Sequence, residues 1–187
     1  MALTYPQAWV DLPAEDKRAR VLDAARELFA QEGLGASMPA VAAAAGAGVG
    51  SVYRQFADKD DLIAALVLER LAEFLADLES MRPGADAWTD VERMIWLGAA
   101  CRDGGDEVLT RAIVATSARP DVSAARALVA DAIERVLDRA RAEGTLRADV
   151  GVADVRLVFA AVRGADGYAA GGGRRVAELL IDGLRAR

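Results

Sequence analysis

Apolar side chains recur every three or four residues along most of this chain, and this spacing restricts its fold more than any other feature. Between residues 21 and 29 the apolar positions Val21, Leu22, Ala25, Leu28 and Phe29 fall on one side of a helix. The same period returns in later stretches, and we find no run of alternating apolar and polar residues that would indicate a strand. Alanine, leucine, arginine and glutamate, which favour helices, dominate the composition. The sequence therefore predicts an all-α fold.

Glycines, prolines and capping residues divide this pattern into nine predicted helices. Ser37 is a natural N-cap, the pair Asp58 and Asp61 has the spacing of a capping box, and Thr89 with Glu92 forms a similar pair. Pro120 is expected to end the sixth helix. The predicted helices are 13–32, a short helix after residue 37, 49–55, 58–82, 89–102, 106–117, 122–143, 152–169 and 174–184.

The most informative stretch runs from Ser37 to Leu62 and reads SMPAVAAAAGAGVGSVYRQFADKDDL. It predicts a short helix, a glycine turn and a second short helix, with alanines small enough to let the two helices pack closely. Val52 and Phe56, four residues apart, would anchor the second helix. Ser51, Arg54 and Gln55 would then point outward, as hydrogen-bond donors suited to phosphates and base edges.

This stretch resembles, without gaps, the DNA-binding domain of TetR (tetracycline repressor) family regulators. The shared motifs are the hydroxyl cap, V-A, A-A-G, G-S-V-Y-R-Q-F, the acidic cap and the following lysine, preceded by A-A-R-E-L-F and E-G in the first helix. The resemblance implies phosphate contacts from Ser37, Gly50, Ser51, Tyr53 and Lys59, and an approach to bases by Arg54 and Gln55. Gly48 departs from the family, which usually has a capping hydroxyl there, and Val49 stands where a polar residue is common.

The resemblance implies an all-α protein in three parts. Residues 1–12 would form a flexible arm, 13–58 the three-helix, helix-turn-helix DNA-binding domain, and 59–187 an effector-binding and dimerisation domain joined to it by the long fourth helix. We expect a cytoplasmic homodimer that represses transcription at a near-palindromic operator and is released by a small apolar or aromatic effector. A DNA-binding protein without ligand regulation is the first alternative, and a helical enzyme or lipid carrier is the second.

Charge and composition bear on other functions. The net charge is −6, and carboxylates outnumber basic side chains even within residues 1–60, so DNA affinity must come from the placement of the cations. The chain has no histidine and one cysteine, Cys101, which we interpret as inert. We therefore expect no enzyme activity, no cofactor and no metal site. The uncharged stretch 33–53 is too rich in alanine and glycine to span a membrane.

Two further sets of residues are candidates for binding. The effector cavity would be lined by large apolar side chains and one cation, namely Phe74, Trp88, Met94, Trp96 and Arg111, with Met81 also considered. The dimer would pair the last two helices of each copy through Val155, Val158, Phe159, Val162, Gly164, Val176, Leu180 and Leu184. For both sets, an ordinary place in the core of one chain is the alternative.

Overall fold

The structure, a computed structural model, describes residues 8–81, 84, 86–99, 106–169 and 171–186. These residues form nine α-helices, a short 3₁₀ turn at Trp9–Asp11, and one isolated bridge between Leu146 and Arg185. The predicted all-α fold is confirmed. The chain divides into two compact units, Met1–Glu69 with Asp103–Arg119, and Arg70–Arg102 with Pro120–Arg187.

The first unit is built around a long first helix and two short ones. Its helices are α1 (Ala14–Glu32), α2 (Met38–Ala44), α3 (Val49–Gln55), the start of α4 (Lys59–Ser80) and α6 (Asp106–Ala115). Val21, Ala25 and Phe29 of α1 are buried, as their helical spacing predicts. Helix α6 belongs to this unit, whereas the predicted domain bounds place it in residues 59–187 with the later helices. The predicted domain bounds stay a prediction.

Local hydrogen bonds explain where these helices begin. The Ser37 hydroxyl accepts from the backbone N–H of Ala40 at 3.3 Å, which makes Ser37 the N-cap of α2 as predicted. Before α4, the Asp58 carboxylate accepts from the N–H of Asp61 at 2.7 Å, while the Asp61 carboxylate accepts from the N–H of Ala57 at 3.3 Å. The two aspartates together hold the turn between α3 and α4.

The second unit contains the remainder of α4 together with α5 (Ala87–Ala99), α7 (Pro120–Ala142), α8 (Val152–Tyr168) and α9 (Gly172–Leu184). The predicted start of α5 at Thr89 is wrong. Asp86 caps the helix instead, accepting from both the N–H and the hydroxyl of Thr89, and this hydrogen bonding lowers the pKa of Asp86 below its ordinary 3.8. Glu92, the predicted capping partner, accepts from the Trp88 indole at 2.6 Å. Pro120 does not simply end α6; it is the first residue of α7, where its missing N–H costs nothing.

Close contacts between helices shape the second unit. Phe159 of α8 packs so tightly on Gly98 of α5 that a Cβ at position 98 would lie 2.2 Å from its Cζ. The same ring meets Phe74 edge-on, with centroids 5.7 Å apart. Arg163, one turn further along α8, donates to the Gly98 carbonyl at 3.3 Å. Glycine at position 98 is therefore what allows the α5–α8 approach.

A buried carboxylate ties together three parts of the second unit. Asp90 is 1% exposed and accepts from the N–H of Gly84 and from Arg139 of α7, at 2.9 and 2.7 Å. Hydrogen bonds and a cation compensate for burying this charge. Separately, no helix within the described ranges combines the length and apolar character needed to cross a bilayer.

Candidate nucleic-acid interface

Helix α3 is held against the first unit by its apolar side. Val52 and Phe56 are both 0% exposed, which confirms the anchoring role that their spacing predicts. Ala42 and Ala45 on the α2 side are also buried, so the two short helices approach through small residues. Between them Gly46 adopts a left-handed φ of +65°, a conformation that glycine tolerates best. The result is a helix-turn-helix with one side of α3 fixed inward.

The opposite side of α3 carries polar groups toward solvent. Tyr53 is 47% exposed, Arg54 is exposed, and Gln55 is half-buried. Arg54 donates from Nη2 to the Ser51 hydroxyl at 2.7 Å, which orients the guanidinium while leaving other N–H groups for a ligand. Gly50 is exposed, with open space where a side chain would be, so another molecule can approach the backbone there. These groups can bind an oxygen-rich surface such as a phosphate backbone or the acceptors of a base edge.

Two predicted phosphate contacts lie outside α3. Ser37 is exposed, although its hydroxyl already serves the backbone of α2. The Lys59 ammonium, at the start of α4, lies 5.9 Å from the centroid of the Phe29 ring, and the side chain is half-buried. The structure thus places all seven predicted DNA-binding residues in the first unit; their contact with DNA stays a prediction.

The start of α3 agrees with the sequence, whereas its end makes a contact that sequence reasoning did not identify. At its start, Gly48 provides no side-chain cap, and at its end the chain leaves in an extended conformation at Phe56. Arg18 of α1 reaches the last turn of α3. Its Nη1 donates to the Gln55 carbonyl at 3.0 Å, and its guanidinium carbon lies 4.3 Å from the centroid of the Phe56 ring. In the sequence Arg18 is one of three cations, with Lys17 and Arg20, for which a solvated helix face and a phosphate contact are the two interpretations, and nothing local indicates the contact with α3.

The predicted effector residues are mostly core residues. Phe74, Trp88 and Met94 are buried in the second unit, while Trp96 is 38% exposed and Arg111 lies on α6 of the first unit. A cleft of about 300 Å³ opens elsewhere in the second unit. Its lining is of mixed polarity and consists of Leu78, Glu79, Met81, Ala132, Arg135, Val136 and Arg139. Of the effector residues considered, only Met81 lines this cleft, and a ligand-binding role for the others stays a prediction.

The residues predicted for the dimer divide into two groups. Val155, Val158, Phe159, Val162 and Leu184 are buried within the single chain. Gly164 is exposed, and Val176 and Leu180 are half-buried. The outward face of α8 instead carries Leu157, which is 68% exposed, together with Ala160, Ala161 and Gly164. These four residues recur at three- and four-residue spacing, so they form one apolar stripe of mostly small side chains.

Among the described residues, no three histidine, cysteine or acidic side chains are grouped so that they could hold a metal ion. Cys101 lies outside the described residues.

Comparison with known proteins relates both parts of the chain to bacterial regulators. Residues 21–66 match the family described as bacterial regulatory proteins, tetR family, and residues 83–186 match the C-terminal domain described as transcriptional regulator SbtR-like. Among solved structures, the chain is similar to a TetR transcription regulatory protein from Mycobacterium vanbaalenii, at 27% identity over 93% of this chain and 100% of that one, with a TM-score of 0.61.

Two other structures extend the comparison. One, from work on the molecular basis for control of antibiotic production by bacterial hormones, is 29% identical over 93% of this chain and 100% of that one, with a TM-score of 0.68. The fatty acid degradation regulator FadR from Bacillus halodurans is 20% identical over 91% of this chain and 97% of that one, with a TM-score of 0.70, and supports the fold alone.

Proposed function

Because this chain belongs to the TetR family of DNA-binding transcriptional regulators, we propose that it is a homodimeric repressor that a small hydrophobic effector releases from a near-palindromic operator. Members of this family are regulators rather than enzymes. The observation that carries the proposal is the outward side of α3, where Tyr53, Arg54 and Gln55 are presented by a helix whose other side is fixed in the core.

In the proposed complex α3 lies in the major groove. Arg54 and Gln55 read base edges, since guanidinium and amide groups match the acceptors and donors of guanine and adenine. The exposed backbone at Gly50 and the hydroxyl groups of Ser51 and Tyr53 bind phosphates on one side of the groove. Ser37 and Lys59, at the starts of α2 and α4, bind phosphates further along the backbone.

A homodimer follows from the symmetry of a near-palindromic site, because two copies of α3 must meet major grooves about 34–36 Å apart. We assign the contact between copies to α8 and α9. The outward stripe Leu157, Ala160, Ala161 and Gly164 supports this assignment, since small residues let helices of two copies approach closely and Leu157 would otherwise stay in water. Val176 and Leu180, half-buried in one chain, would be covered at the edge of the same contact.

The effector is proposed to bind among the large apolar side chains of the second unit, near Phe74, Trp88 and Met94. These side chains are packed in the structure, so a ligand that enters there must separate them and thereby favour another conformation. The similar structure at 29% identity comes from work on control of antibiotic production by bacterial hormones, which supports a chemical signal as the effector class. Trp96, in the same unit, remains a proposed participant.

The experiment that tests the function is selection of duplexes from a random pool by the full-length protein. We expect enrichment of a sequence with two related halves, and loss of binding when a suitable member of a panel of small apolar and aromatic compounds is added. Enrichment that no compound in the panel reverses would favour the alternative, a DNA-binding protein without ligand regulation. No enrichment at all would contradict sequence-specific DNA binding.

A further inference from the structure

We propose that Arg18 is a positioning residue for α3, and that it sets sequence specificity without touching DNA. This inference rests on the proposed function, in which α3 reads the operator. The inference goes beyond the proposed function, because it assigns sequence specificity to a side chain on α1, a helix that precedes the helix-turn-helix in the chain.

The first step is that α3 cannot hold its own shape. It has seven residues, Val49–Gln55, and isolated helices of that length are not stable in water. Gly48 at its N-cap offers no side-chain acceptor, and Gly50 inside its first turn lowers helix propensity further. Its conformation therefore depends on contacts with the rest of the first unit.

The second step is that the end of α3 lacks the usual backbone cap. Many helices end in a left-handed glycine that directs later N–H groups back to the last carbonyls. Here Phe56 is extended, with φ −138° and ψ 120°, and only its own N–H returns to the helix, to the Val52 carbonyl. The Gln55 carbonyl accepts from Arg18 instead, at 3.0 Å. A cation at this end also interacts favourably with the helix dipole.

The third step is that Arg18 holds two groups at once. Its guanidinium donates to Gln55 while lying 4.3 Å from the centroid of Phe56, the buried aromatic that anchors the end of α3. A planar, delocalised cation suits this double role, because it can face a ring and still donate a directed hydrogen bond from its edge. Gln55 is itself a proposed base-reading residue, so a change in the backbone there would move its amide away from the base edge.

The decisive substitution is Arg18→Lys, because lysine keeps the charge but lacks the planar guanidinium that faces the ring and donates from its edge. We would measure binding by fluorescence anisotropy over a salt series, using the duplex recovered by selection and a scrambled duplex of equal length. Arg18→Lys should lower affinity for the selected duplex about tenfold, as expected for the loss of one charge-assisted hydrogen bond. Its affinity for the scrambled duplex and its salt dependence should match the wild type. Arg18→Ala should lose specificity to a similar extent.

Lys17→Ala is the matched control, since Lys17 is the neighbouring cation on α1 and, within the part of the chain that the structure describes, its ammonium donates to the Val10 carbonyl at 3.5 Å and not to α3. It should leave specificity unchanged. Wild-type binding by Arg18→Lys would overturn the proposal. The proposal would also be overturned if Arg18→Ala lost the same affinity for both duplexes and its salt slope fell by about 1. That pattern would indicate that Arg18 contacts a phosphate.

Hydrogen exchange in the free protein separates this proposal from the proposed function. The amides of Val52 to Gln55 should exchange several-fold faster in both Arg18 variants than in the wild type or in Lys17→Ala. If the wild type selected no duplex, the proposed function would fail. Hydrogen exchange would still test whether Arg18 supports α3. Unchanged exchange would overturn the positioning role whatever the DNA results.

Discussion

Replacing Gly98 by alanine should destabilise the protein, although helix propensity alone predicts the reverse. Alanine is favoured over glycine inside a helix by about 1 kcal/mol. At this position, however, the new Cβ would lie 2.2 Å from Cζ of Phe159. Carbon atoms in good contact are about 3.5–4.0 Å apart, so the ring must retreat by about 1.5 Å.

The retreat of the ring has a calculable cost. Overpacking of a filled core costs about 1–3 kcal/mol, and moving Phe159 weakens its edge-on contact with Phe74, a kind of pair worth about 0.5–1.5 kcal/mol. After subtracting the gain in propensity of about 1 kcal/mol, we expect Gly98→Ala to lower the free energy of unfolding by about 0.5–3.5 kcal/mol. Urea unfolding followed by circular dichroism, at one fixed protein concentration, measures this change as a lower midpoint.

Two companions make the experiment specific to the Gly98–Phe159 contact. Gly183→Ala is the control, since an added Cβ there meets nothing within 4 Å, and it should be neutral or stabilising. In a Phe159→Leu background the Gly98→Ala change should cost much less, because the smaller side chain leaves room for the new methyl group. A higher urea midpoint for Gly98→Ala in the wild-type background would refute the packing argument.

Three further predictions concern other parts of the molecule. Arg54→Ala should weaken binding to the selected duplex by about 1–3 kcal/mol and relax base preference at one position per half-site. Lys59→Ala should weaken binding to all duplexes alike and flatten the salt slope, and equal effects of the two variants in a gel-shift series would contradict the assigned roles. Gly164→Arg should yield monomers in sedimentation at micromolar concentration, and a wild-type monomer under those conditions would contradict the dimer. Asp86, whose pKa is lowered chiefly by the N–H of Thr89, should contribute fully to stability above pH 3.8 and lose that contribution as the pH falls further; Asp86→Asn should remove this part of the acid dependence of unfolding.

Features that depend on neighbours in the chain were the ones that could be predicted. The burial of Val52 follows from its place on the apolar side of a helix, and Phe56 is buried as its spacing predicts although it lies just past the helix in an extended conformation. Ser37 caps α2 because its hydroxyl, placed just before the helix, can accept from one of the first N–H groups, which have no carbonyl partner within the helix. The resemblance to a known family added the candidate roles of the residues on the outward side of α3.

Other features were ambiguous because two local patterns fit equally well. Asp86 and Thr89 have the same spacing as Thr89 and Glu92, and either pair fits the start of α5. The structure uses the first pair because Trp88 is buried within the helix and its indole donates to Glu92. Arg18 and Gln55 are separated by so much chain that no periodicity connects them. Such contacts depend on how helices cross, which the pattern of one helix does not contain.

The dimer residues show a third limit. Val158 and Leu157 are adjacent apolar residues of α8, yet one is 4% and the other 68% exposed. Apolar character in a sequence indicates that a side chain prefers to leave water, and it does not say whether its own chain or a second copy covers it. The packed structure makes that distinction for each side chain.

The buried carboxylate of Asp90 has a consequence for how this protein can evolve. Losing the acid alone would leave the N–H of Gly84 without its acceptor, and losing Arg139 alone would leave the buried carboxylate with only the more distant guanidinium of Arg93, at 4.0 Å. Position 139 should therefore keep a basic residue wherever position 90 keeps its acid, and it should be free to change where the acid has been replaced by an apolar residue. Because the two residues lie on α5 and α7, mutational histories of these two helices should be correlated at this point even where the surrounding surface changes freely.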